Sequence, residues 1–173
     1  MICSMFGHHD APANLLTPLT ARLVHLTKEE HVDRFLIGNQ GRFDLLARYV
    51  LNEIVIPGRP RVKYSVVLAY LPSVRPLEYP YRPDETIYPE GLEKVPKRFA
   101  ISRRNRWMVD QSEIVLGYCR YSIGGTASIL EYARKKKKRI IDLAEYVDQY
   151  EENSPNSLEF RAFRQDKSDS HRV

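Results

Sequence analysis

The chain has 173 residues and a formal charge of +5, the size of one domain with room for a core that needs no staples. Its 43% hydrophobic and 28% charged residues exclude a disordered or fibrous chain, and two cysteines exclude a disulfide scaffold or a structural zinc site. No apolar stretch approaches the roughly 20 residues of a membrane span, and MICSMFGHHD turns polar too soon for a signal peptide, so a reducing cytoplasm is the expected location.

Ile2 to Gly7 reads as a first strand, and the segment from Asn14 to His31 follows with Leu15, Leu16, Leu19, Leu23, Val24 and Leu26 near helical spacing. Pro18 falls early there, where a first helical turn tolerates it. Val32 to Gly38 predicts a second strand. RFDLLARYVLNEIVI predicts a second amphipathic helix, ended by Pro57 and Gly58. Val62 to Leu71 is nearly continuous in apolar and aromatic residues, the pattern of a strand buried on both faces. Residues 72–96 hold six prolines with Tyr79, Tyr81, Tyr88, Asp84, Glu85 and Glu90, which read either as a lid over a site or as a surface excursion packed by its own aromatics. A third helix is expected over Arg98 to Gln111, with Phe99, Ile101, Trp107 and Met108 as its apolar residues. A strand over Glu113 to Cys119, a helix opening at Gly124–Gly125 and a short strand over Arg139 to Leu143 complete the pattern. Cys3 and Cys119 both fall in apolar strand runs and are expected to be buried thiols. Residues 1–150 form one expected domain, and 151–173 are polar enough to predict a mobile tail.

Strands that alternate with helices predict an α/β fold, a Rossmann-like three-layer sandwich with a mostly parallel central sheet. In such sheets ligands lie outside the carboxyl ends of the strands, where the strand order reverses. Three turns carry glycine at that edge. After the first strand come Gly7, His8, His9 and Asp10, where Gly7 allows close approach and His8 or Asp10 can bond a ligand. Adjacent histidines point apart and no second ligand cluster follows, so no metal is expected. After the second strand come Gly38, Asn39 and Gly41, a spacing that can form an anion-binding nest. Asp44 reads there either as a partner for a sugar hydroxyl or as a carboxylate favoured by the helix dipole. After the fourth predicted strand come Ser122, Gly124, Gly125 and Thr126, which read either as a ligand-free tight turn or as a cradle for an anion such as phosphate. Neither G-x-G-x-x-G nor G-x-x-x-x-G-K-[ST] occurs, so tight dinucleotide or triphosphate binding of those kinds is not supported. Arg103, Arg104 and Arg106 cannot all face one way on a helix, and an arginine at the site would grip phosphate or carboxylate. The block Arg134 to Arg139 holds six cations in a row. It reads better as a solvated helix end than as a nucleic-acid contact, because no aromatic residues are interleaved with it.

The segments GHHDAP, GNQGRFD, VLAYLP, TIYPEGLEKVPKRFAISRRNRWMVDQSEIV and SIGGTASILEYA together resemble the SLOG superfamily of Rossmann-like proteins, over about Met1 to Leu143. The closest likeness is to its small bacterial and phage branch. That superfamily includes the LOG enzymes, which are nucleotide phosphoribohydrolases, and the DNA-processing protein A family, which binds single-stranded DNA. The LOG signature is an Arg–Lys pair, a Met, Ser–Asp before a strand, and then P-G-G-x-G-T-x-x-E. Onto it fall Arg104, Met108, Ser112, Gly124, Gly125 and Glu131, with Asn105 at the lysine and Glu113 at the aspartate. Ile123 replaces Pro, Ala127 the third Gly and Ser128 the Thr. These changes are compatible with phosphate binding and depart from the LOG catalytic pattern. The resemblance implies a nucleotide or nucleotide-derived ligand at Gly7, His8, Asp10, Gly38, Asn39, Gly41, Asp44, Arg104, Asn105, Ser122, Gly124, Gly125 and Thr126, with no cofactor. Its enzyme form would be an N-glycosidase, with Glu131 stabilising charge on the ribose or activating water and Arg104 orienting phosphate. Glu131 also reads as an exposed helix residue. A regulatory protein that binds DNA is a third expectation, as is assembly into a homo-oligomer.

Overall fold

A computed structural model describes residues 1–54, 62–71 and 83–147. The elements in chain order are β1 (Ile2–Gly7), a short 3-10 turn (Ala13–Leu15), α1 (Leu16–Lys28), β2 (Arg34–Ile37), α2 (Arg42–Glu53), β3 (Lys63–Val67) and β4 (Glu85–Ile87). A second 3-10 turn (Leu92–Lys94), α3 (Lys97–Asp110), β5 (Ile114–Tyr118), α4 (Gly125–Lys135) and β6 (Arg139–Asp142) follow. All six strands are parallel, in the order β4-β3-β2-β1-β5-β6. The chain winds outward from β1 to β4 and then returns to place β5 on the other side of β1. The reversal in strand order therefore lies between β1 and β5. Among the described residues no helix is long and apolar enough to cross a membrane.

Alternation along the strands builds a core on each side of the sheet. Cys3, Met5, Phe35, Ile37, Tyr64, Val66, Ile114 and Leu116 pack with Leu19, Leu23 and Leu26 of α1 and Phe43, Leu46 and Val50 of α2. Phe6, Leu36, Val67 and Val115 point the other way, onto Met108 and Val109 of α3 and Ile129, Leu130 and Ala133 of α4. Both faces are thus covered by helices, which is why these strands read as apolar runs with little polar interruption.

Three expectations need correction. Glu85–Ile87 is an edge strand, although it lies inside the Pro-rich segment and carries no alternation; Leu68 N donates to Ile87 O at 2.8 Å and Asp84 N to Tyr64 O at 3.0 Å. The Asp84 carboxylate accepts the Tyr64 amide and Glu85 pairs with Arg34, so both acids serve the amino ends of β3 and β2, away from the carboxyl edge where a lid would sit. Tyr79 and Tyr81, like the tail 151–173, lie outside the described residues. On α3, Phe99 and Ile101 are exposed, and the inward stripe is Ala100, Arg104, Met108 and Val109. Cys3 is fully buried as expected, and burial drives its thiol pKa up, but Cys119 lies one residue past β5 and is only partly covered.

Candidate ligand-binding site

The turns after β1, β2 and β5 lie at one end of the sheet, because all three strands are parallel neighbours. Direct contacts join them. Arg42 N, at the start of α2, donates to His9 O at 2.8 Å, and Arg120 N, just past β5, donates to His8 Nε2 at 2.9 Å. Since an amide can only donate, His8 Nε2 is the acceptor and the ring is neutral, with its proton on Nδ1. The same ring stands edge-on to Tyr118 and lies tilted against Tyr121 at 4.8 Å between centroids. Gly7 packs against the Phe43 ring and Gly41 against His9, so these two glycines are spent on closing the β1 and β2 turns onto each other. Asp10 is exposed beside His9, which is more exposed still.

The β2–α2 turn is filled from within. Asp44, in the first turn of α2, is 9% exposed, and its Oδ2 accepts the Gln40 amide at 2.7 Å. Arg104, 2% exposed, reaches over from α3 and donates through Nη1 to Val67 O at 2.6 Å. A Cβ on Gly38 would lie 2.7 Å from both Arg104 Nη1 and Asp44 Oδ2, so this glycine is the gap across which the two charges face each other. Burial raises the Asp44 pKa, against the pull of Arg104 and of the Gln40 amide, and burial likewise lowers that of Arg104. The protein's own carboxylate therefore occupies the position that the sequence offers to an external anion. Asn39 is half-buried beside Gln40, whose side-chain amide donates to it at 3.1 Å.

The β5–α4 turn is open. Gly124 has φ +112° and ψ −177°, a combination essentially restricted to glycine, and it swings the chain into α4. Among the described residues no side chain caps this helix, and a Cβ built on Gly124 or Gly125 would meet nothing within 4 Å. The helix's first amides have no intrahelical partner, and the positive end of its dipole lies at this turn. Ser122 is exposed next to them, Ile123 is 81% exposed, and Thr126 is buried in the first turn. Upstream, the loop is pinned on both flanks: Cys119 N donates to Asp142 Oδ1 at 3.1 Å and Arg120 N to His8. Asp142 also accepts the Ala144 amide at 3.0 Å. Asp142 escaped the reading of the sequence; its signal is a carboxylate that ends an apolar strand.

Glu131 is not brought to Arg104. It is 54% exposed on the side of α4, in ion pairs with Arg134 and Lys135 at 3.7 Å, while Arg104 is enclosed by Val67, Gly38 and Asp44. Asn105 is half-buried on α3, next to Arg104 but not in its enclosure. The cationic block is similarly engaged: besides those two pairs, Lys136 meets Asp110 at 3.3 Å and Arg139 pairs with Glu30. Lys137 takes φ +54° to turn the chain from α4 into β6. No protein-family model matches the sequence, and no curated protein matches it.

Proposed function

We propose that the chain binds a nucleotide or nucleotide-derived ligand at the carboxyl edge of the sheet, with a phosphate on the amides that open α4. The observation that carries this reading is the uncapped, sterically empty Gly124–Gly125 turn beside the β1/β5 reversal. The exposed Tyr121 ring and Ile123 offer apolar surface next to that turn for a base or sugar. The likeness to the SLOG superfamily points the same way. The N-glycosidase reading is weaker, because Glu131 is held in surface ion pairs away from Arg104. The DNA reading is weaker because the basic block is largely paired with acids of the same chain.

Calorimetric titration with AMP and ADP-ribose tests the proposal. Saturable binding is expected for the natural chain. It should be lost in Gly125→Asp, whose carboxylate opposes a phosphate at this turn and whose Cβ meets nothing within 4 Å among the described residues. No binding of either nucleotide, or equal binding by the variant, refutes the site.

A further inference from the structure

We propose that His8 is a proton-operated latch that sets the shape of the β5–α4 loop: its neutral imidazole holds the Arg120 amide, and protonation lets that amide go. The inference stands on the apo chain and does not depend on what the open turn binds.

The geometry is specific. The loop's two leading amides are held by side chains from either side, Cys119 by Asp142 at the end of β6 and Arg120 by His8 just past β1. A carboxylate remains an acceptor throughout the neutral range. An imidazole does not: once protonated, both its nitrogens are donors, and a donor facing the Arg120 N–H at 2.9 Å is repelled. One of the two pins is therefore permanent and the other is conditional. Loss of the conditional pin releases the Arg120 amide and leaves the loop to the Cys119 bonds, its amide on Asp142 and its Sγ on Tyr121 O at 3.2 Å.

The groups facing His8 are Asp10 and His9 on its own turn, Tyr118, Arg120 and Tyr121 from β5 and its loop, and Asp142 from β6. Burial lowers the His8 pKa from its ordinary value of 6.5, with His9 adding to that and the two aspartates opposing it. The sign follows. The unfolded chain takes up this proton more readily than the folded one. The latch's contribution to stability is thus complete above the ordinary histidine pKa and is lost as the pH falls through the lower, folded value.

The test is NMR of the full chain labelled with 15N, titrated between about pH 5 and about pH 8, the interval in which histidine changes charge. Above its midpoint the His8 ring should be the Nδ1–H tautomer. The Arg120 amide should shift and lose exchange protection with the same midpoint as the ring, and the amides of Ser122 to Thr126 should follow. The Arg42 amide, which is bonded to His9 O, should stay protected and so reports that the fold persists. His8→Gln keeps an acceptor at all pH values and should flatten the Arg120 profile. His8→Leu should leave that amide unprotected throughout. An Arg120 amide that ignores the ring's titration, an Nε2–H tautomer at high pH, or a His8→Gln profile matching the natural chain overturns the latch.

Discussion

Two strand-to-helix turns of this protein look alike in sequence and differ in what fills them. After β2, GNQGRFD brings glycine, small polar groups and a carboxylate to a helix N-terminus. After β5, SIGGTAS brings glycine and hydroxyls to another. In the first, Asp44 bonds the turn's own amide, Arg104 faces it from α3, and Gly38 leaves just the space the two need. In the second, among the described residues, a Cβ on either glycine would meet nothing within 4 Å; neither helix has a side-chain cap. A glycine turn at a helix start is thus a place for negative charge, and the neighbouring elements decide whether the protein supplies that charge itself.

The difference is open to attack at several strengths. The largest effect is expected from Arg104→Met, which strands the Asp44 carboxylate in the interior and should cost about 3–5 kcal/mol in denaturant unfolding. The double variant Arg104→Met/Asp44→Asn should recover much of that loss, since it removes the carboxylate that Arg104 faces. The single variant also has a pH signature. Burial already raises the Asp44 pKa, and without Arg104 the rise is larger, so the folded chain binds the proton more tightly than the unfolded chain. The Asp44 contribution to its stability should be most favourable in acid, where Asp44 is protonated, and should be lost as the pH rises through the folded value.

Next comes Gly38→Ala. The added methyl meets Arg104 and Asp44 at 2.7 Å and should cost about 1–3 kcal/mol by overpacking. Gly124→Ala meets no atom, and its cost, about 1 kcal/mol or somewhat more, is conformational, arising only from φ +112°. Gly125→Ala has neither problem and should move the unfolding midpoint by less than about 0.5 kcal/mol. If Gly125→Ala proves as damaging as Gly38→Ala, the second turn is packed after all and the contrast disappears.

Much of the architecture was legible because the strands are buried on both faces and the helices carry apolar stripes. Runs such as Ile114–Tyr118 and Lys63–Val67, set between helical segments, specify a parallel sheet. β4 was not legible: three edge residues need little hydrophobicity, and their pairing is set by β3 rather than by their own pattern. The stripe of α3 was misread for a related reason. Its core position is taken by an arginine, with phenylalanine and isoleucine turned to solvent, and periodicity cannot reveal that a charge has a partner on another element. The same limit applies to the site. Spacing located the three turns, but only tertiary contacts distinguish the turn that Asp44 and Arg104 fill from the one left open. The His8–Arg120 bond joins residues 112 apart and leaves no mark in either local sequence.

The most direct measurement is the backbone amide spectrum of the 15N-labelled chain during titration with AMP and ADP-ribose. The open-turn account predicts saturable shifts at Gly125, Thr126 and Ala127, with Gly38, Gln40 and Asp44 left where they were. Shifts centred on the Asp44 turn, or none at the start of α4 at saturating nucleotide, would contradict it.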